Sequence, residues 1–280
     1  MPLPLPWPFD REYMQLALLA GLVVGVCAPL IGTFLVQRRL SLLGEGIGHV
    51  AFAGVSAGLA TGLWPLGTAL VASVVAAVGI EWLRARARIA GDLALAVVFY
   101  AGIAGGVVLA GVAGSLDATT LGYLFGQILT VAPADAGVIA GLGLVIIAVV
   151  ARTWRALLSI TIDEEAARVA GLPVDRLNVL LAVLAALTVV AGMRIVGVLL
   201  VAALMVLPVG AAQRAARSFR AALLLASAIG GGSAVVGLAI ARAGALAPGA
   251  TIVLVAAATF VIASVLRPGA ARLPSSSHSR

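Results

Sequence analysis

Long apolar runs separated by short polar breaks make up nearly the whole chain, and the breaks carry most of its charge. A membrane-crossing helix needs about 20 mainly apolar residues, because a rise of about 1.5 Å per residue must cover about 30 Å of hydrocarbon. Nine stretches come close to that length. The pattern predicts spans over 13–36, 41–62, 65–83 and 93–113, followed by 133–151, 177–193, 195–213, 221–241 and 249–266. The expected fold is therefore all-α: a polytopic transmembrane helix bundle of about nine spans. Residues 1–270 form its single domain, and 271–280, rich in serine, read as a disordered cytoplasmic tail in which His278 carries no weight.

Two connections hold more than a simple turn. The segment 114–130 contains Leu121, Tyr123, Leu124 and Phe125, enough apolar surface for a short interfacial or re-entrant helix packed on the bundle. The segment 153–176 is the longest polar connection and has the clustered acids Asp163, Glu164 and Glu165. There Asp163 can cap a short helix, the acids favour its N-terminal dipole end, Gly171 stops it and Pro173 prevents its resumption. Two turns of helix cannot stand alone in water, so this one either packs on the bundle or meets a partner.

Composition confirms lipid as the solvent: of 280 residues 62% are hydrophobic and 10% charged, with a mean hydropathy of +1.18. All 18 basic residues are arginine, and they sit in short clusters between apolar runs, which argues against nucleic-acid binding. With nine spans the termini lie on opposite sides. An orientation with the N-terminus outside and the C-terminus inside places every arginine except Arg11, Arg194 and Arg242 on the cytoplasmic side. Arg88, Arg267, Arg272 and Arg280 count among the cytoplasmic ones. Met1 to Trp7 is proline-rich and uncharged, which does not suit a cleavable signal. The single cysteine, Cys27, excludes a disulfide framework or thiolate cluster.

The chemistry concentrates in the second span. Glu45 and His49 are four residues apart and share a helix face. Ten residues at about 1.5 Å each from Arg39 at the cytoplasmic interface put His49 about 15 Å deep, close to the bilayer midplane, with Glu45 about one turn nearer the cytoplasm. Ionisable groups at such depth mark functional sites by default. Carboxylate and neutral imidazole are both ligands for zinc and manganese, and a two-fold dimer would bring two of each to its axis. A proton relay uses the same residue types, and the pair could also hydrogen-bond each other or a neighbouring helix. On the same helix Gly54-Val55-Ser56-Ala57-Gly58 matches a hydrolase nucleophile motif, but that motif needs a strand-to-helix turn. Small residues recur as Gly21/Gly25, Gly44/Gly48, Gly54/Gly58 and Gly58/Gly62, a spacing that lets helices approach closely.

Several segments together resemble the metal-ion permease family of bacterial ABC importers. They are 38–49 (Arg-Arg-Leu-Ser-Leu-Leu-Gly-Glu-Gly-Ile-Gly-His), Leu124-Phe125-Gly126, 163–178, and 192–197 running into Leu207-Pro208. The resemblance implies a multi-pass permease of the bacterial cytoplasmic membrane, importing zinc, or manganese, without being an enzyme itself. Its implied partners are a second permease copy, two cytoplasmic ATPase subunits and an extracytoplasmic metal-binding protein. It implies metal handling by Glu45 and His49, with no permanently bound cofactor. It also implies ATPase coupling through Asp163, Glu164, Glu165, Ala166, Ala167 and Gly171, where Glu165-Ala166-Ala167 and Gly171 look like the Glu-Ala-Ala-x-x-x-Gly signature of importer permeases. The family's acid is more usually aspartate, so Glu45 reaches one methylene further. A permease for vitamin B12 or iron chelates is the alternative within transport, and an intramembrane serine hydrolase built on Ser56 the alternative outside it.

Overall fold

Eleven helices make up the ordered framework of the computed structural model, which describes residues 6–86, 91–112, 114, 118–127 and 132–266. In order they are α1 (Glu12–Gln37), α2 (Leu43–Thr61), α3 (Pro65–Arg86), α4 (Gly91–Val112), α5 (Ala118–Phe125), α6 (Pro133–Ile162), α7 (Glu164–Val169), α8 (Val174–Gly192), α9 (Val198–Ala215), α10 (Phe219–Gly244) and α11 (Pro248–Val265). Each expected span corresponds to one long helix, and the two expected short helices are α5 and α7. Eight helices are long and apolar enough by themselves to cross a membrane. The ninth, α2, falls short because Glu45, His49 and five glycines dilute its apolar residues. Arg88, Arg267, Arg272, Arg280, His278 and the tail 271–280 lie outside the described residues, as does part of 114–130.

Layering follows from burial. Within its most apolar window α1 is 72% buried, against 22% for α4, so α1 lies at the centre of the bundle and α4 at its edge. The glycine pairs are where backbones meet. Gly21 and Gly25 pack on α10, where a Cβ on Gly230 would overlap the Gly25 carbonyl oxygen. Gly44 and Gly48 pack on Met205, Ala202 and Val198 of α9, and Gly54 and Gly58 on Pro65, Thr68 and Ala69 of α3. Gly62 ends α2 with a φ of +69°. The approaches at Gly21, Gly25, Gly44, Gly48, Gly54 and Gly58 are contacts within one chain, which is how small residues let helices associate in lipid, whereas Gly62 meets no neighbour.

The sixth helix differs from expectation by continuing eleven residues beyond Ala151, to Ile162. Its 30 residues span about 45 Å. Arg152 and Arg155 look like a span's end, but arginine is a strong helix former. The inward face stays apolar: Leu157 and Ile160 are buried, and Trp154 meets Phe34 and Phe219 at ring distances of 5.9 and 5.7 Å. Much of the polar connection is thus a stalk of helix leading to α7.

At one end of the bundle α5, the turn between α8 and α9, and the start of α11 interlock. A Cβ on Gly126 would overlap the Ile195 carbonyl, one on Gly197 the Leu124 carbonyl, and one on Gly249 the Val196 carbonyl. Gly126 and Gly197 also have φ of +79° and +91°, which only glycine adopts without strain. Arg194 pairs with Asp135 in this region, and Arg242 reaches Asp10 and the Tyr13 ring nearby. Arg11, beside Asp10, belongs to the same end, and the other described arginines lie toward the opposite one.

Candidate functional site

The site begins with a turn. After α1 the amide of Leu40 donates to the Leu35 carbonyl at 2.8 Å and that of Arg39 to Val36 at 3.1 Å, while Arg39 takes a left-handed φ of 59°. This is a Schellman ending with arginine where glycine is usual. Because 39–42 form a turn, they contribute little axial rise, and α2 begins only at Leu43. His49 therefore lies about 9 Å along α2, not about 15 Å in, and Glu45 sits in the first turn. There the positive end of the helix dipole favours its carboxylate.

Leu43, Gly44, Gly46, Ile47 and Gly48 are buried around the pair, whereas Glu45 and His49 themselves are half-buried. Their face opens between α4, which meets Gly46 through Leu95 and Phe99, and α9, which meets Gly44 and Gly48. The His49 ring stands edge-on to Phe99, with centroids 4.7 Å apart and planes at 77°. Gly102 of α4 approaches the His49 backbone closely, since a Cβ there would lie 3.0 Å from the His49 carbonyl carbon. Neither Glu45 nor His49 hydrogen-bonds to the other or to any other described residue. Among the described residues no three His, Cys, Asp or Glu side chains come together as a metal site. One chain thus offers two donors at this place.

Ser56 lies seven residues beyond His49, on the same face of α2, fully buried and with no partner for its hydroxyl among the described residues. It belongs to an unbroken helix, so it lacks the strained turn that exposes a hydrolase nucleophile.

The second cluster of residues is α7 with its flanks. Asp163 caps it by accepting from the Ala166 amide at 2.9 Å. At the other end Leu172 donates to the Ala167 carbonyl and Gly171 to Arg168, both at 3.1 Å, with Gly171 at a φ of +83°. The motif residues therefore differ in what they do. Ala167 is the buried anchor, Gly171 the left-handed stop, and Glu165, Ala166 and Val169 form the exposed face. Glu164 instead turns inward, accepting from Arg38 Nη2 at 2.6 Å and from Asn178 Nδ2 at 3.2 Å.

A model of the ABC 3 transport family matches residues 10–267. The chain belongs to that family. It is 32% identical over 259 residues to the manganese import system permease protein ScaB of Streptococcus gordonii, covering 92% of this chain and 93% of that one. The high-affinity zinc uptake system membrane protein ZnuB of Haemophilus influenzae is 29% identical over 208 residues, covering 74% and 79%. The solved structure of PsaBC from Streptococcus pneumoniae in complex with Fab superposes with a TM-score of 0.82 at 32% identity, covering 92% of this chain and 93% of that chain. This ABC 3 protein is accordingly a multi-pass permease subunit and not the ATPase, and a permease of this kind works with ATPase and binding-protein partners.

Sequence reasoning singles out Glu45, His49 and the α7 motif in this permease, but it does not find Arg38, Asn178, Phe99 or the Arg194–Asp135 pair. Phe99 could be found only by knowing that α4 lies against α2. Arg38 and Asn178 do carry a signal, since both fall in the segments that resemble the family.

Proposed function

We propose that the chain is the membrane-spanning subunit of an importer for a divalent transition-metal ion, manganese ahead of zinc, and that Glu45 and His49 handle the ion. The observation that carries this reading is the condition of those two side chains: one helix face, half-buried, and no hydrogen bond to any described residue. An ionisable side chain costs about 2.5 to 3.5 kcal/mol at the centre of a membrane helix and less toward its end, so a half-buried pair without a hydrogen bond to a described residue suits an external partner. A passing cation is that partner. Carboxylate oxygen suits manganese, and imidazole serves zinc as well. Manganese comes first because it is the ion named for the Streptococcus gordonii relative, while the Haemophilus influenzae relative is named for zinc.

Two donors from one chain are half of a four-coordinate zinc shell and a third of a six-coordinate manganese shell. A second copy related by a two-fold axis would supply the same two and would cover the face between α4 and α9. The arginine distribution supports an orientation with α7 in the cytoplasm, the N-terminus outside and the C-terminus inside. In that arrangement the ATPase subunits dock on the exposed face of α7, and ATP-driven closure moves the bundle between outward- and inward-open states around Glu45 and His49. An external metal-binding protein delivers the ion to the end where α5 and the α8–α9 turn interlock.

Uptake of radioactive manganese into proteoliposomes containing the permease and its ATPase tests this. Glu45→Ala and His49→Ala are expected to abolish uptake while the complex still assembles; undiminished uptake would defeat the assignment.

A further inference from the structure

Arg38 is an arginine kept from solvent at the end of a membrane helix. Its side chain is 6% exposed, and it closes a triangle. Nη2 donates to Glu164 Oε2 at 2.6 Å, Nη1 donates to Asn178 Oδ1 at 2.8 Å, and Asn178 Nδ2 donates to Glu164 Oε1 at 3.2 Å. Three elements meet there: the end of α1 and, 126 and 140 residues later, the first residue of α7 and the first turns of α8. A charged group this enclosed is held only where its partners satisfy it, so the triangle is a joint fixed from the Arg38 side, while the Glu164 side chain is 41% exposed and also faces Arg168 at 3.8 Å.

The position of that joint matters more than its strength. The helix α7 has six residues, of which Ala167 alone is buried, and it packs on α6 and α8. Among the described residues, Glu164 to Arg38 is its hydrogen-bonded contact with the segment joining α1 to α2. Arg38 is in turn separated from Leu43, the first residue of α2, only by the tight turn over 39–42. That turn has no slack, since Leu40 is bonded back to Leu35 and Leu43 back to Leu40 at 3.0 Å. A displacement of Glu164 is therefore passed through Arg38 to the start of α2, two residues before Glu45 and six before His49.

We propose that Arg38 is the positioning residue through which movement of α7 reaches the ion-handling helix α2. This rests on the reading of α7 as the ATPase dock and of Glu45 and His49 as the ion site. The role is distinct from docking: Arg38 faces inward, on the far side of α7 from the surface that Glu165 and Val169 present. It is also distinct from ligation, since Arg38 is a cation. Arg38 keeps the shift imposed on α7 in step with the shift of α2. Without it ATP can still be hydrolysed by the partner, but less of the stroke reaches the ion.

The test uses the complete transporter, permease with ATPase subunits and the metal-loaded binding protein, in proteoliposomes, with manganese uptake and ATP hydrolysis measured on the same preparation. Arg38→Gln is expected to leave the ATPase assembled and hydrolysing, while the uptake per ATP falls about tenfold or more, within the usual range of coupling effects. Exchanging the charges, Arg38→Glu with Glu164→Arg, is expected to recover a large part of that ratio. A fall of uptake and hydrolysis in equal proportion would overturn the proposal, as would an unchanged ratio in Arg38→Gln. Should Arg38→Gln fail to accumulate, Arg38→Lys takes its place, keeping the charge but not the rigid planar fork that holds Glu164 and Asn178 together. An intermediate ratio is then expected, and a wild-type ratio overturns the proposal. Failure of the underlying reading shows separately, as absence of manganese uptake by the wild-type transporter itself.

Discussion

Arg194 reaches from the turn between α8 and α9 to Asp135 at the start of α6, with Nη2 2.6 Å and Nε 3.1 Å from the same carboxylate oxygen. The guanidinium also lies over the Tyr123 ring, 5.0 Å from its centroid. The two side chains of the pair are 19% and 11% exposed, so removing one strands the other in a poorly solvated place. Arg194→Ala is expected to destabilise the permease by about 3 kcal/mol, as breaking enclosed ion pairs does. The double variant Arg194→Gln, Asp135→Asn leaves no orphaned charge and is expected to cost clearly less. Thermal unfolding in detergent, compared across the two variants, checks the order.

Phe99 orients the imidazole of the proposed ion site by an edge-to-face contact whose loss costs about 0.5 to 1.5 kcal/mol. That is small against the fold but large for a ring with no hydrogen bond to a described residue. Phe99→Ala is expected to leave the permease folded and to lower manganese uptake about fivefold, the equivalent of about 1 kcal/mol. Initial uptake rates over a range of manganese concentrations measure this, and Phe99→Tyr, which keeps the ring, is expected to stay near wild type.

Val169 is an apolar residue 90% exposed on a helix that the proposed orientation puts in water, and Ile162 just before α7 is 74% exposed. Apolar surface left open beside acidic Glu165 fits a protein partner. Val169→Asp is expected to reduce recovery of the ATPase with the permease about tenfold, a loss of about 1.4 kcal/mol. Because Val169 touches little within the chain, the variant is expected to keep its wild-type unfolding temperature. Co-purification at matched permease amounts gives the first number and a melting curve the second.

The periodicity and length of apolar runs make the nine long helices legible, because lipid forces each backbone polar group to be satisfied within its own helix. The cap at Asp163 and the stop at Gly171 are legible too, since each is a local rule acting within a few residues. What the sequence does not reveal depends on packing. Arg152 and Arg155 are polar and suggest an early end to α6, whereas what continues the helix is the apolar face of Trp154, Leu157 and Ile160 against the bundle. His49 is shallower than residue counting suggests because Arg39 enters a left-handed turn that glycine would signal and arginine does not. Glu164 reads in sequence as one of the acids at the dipole end of α7, and only the packing of α1 brings Arg38 against it.

Manganese bound to the purified transporter has a paramagnetic spectrum that reports its ligands, and this makes the ion site directly observable. If the ion sits at Glu45 and His49, nitrogen hyperfine coupling from imidazole is present in the wild type and disappears in His49→Ala. The same nitrogen coupling in both proteins, or a spectrum of fully hydrated manganese in both, would contradict the account.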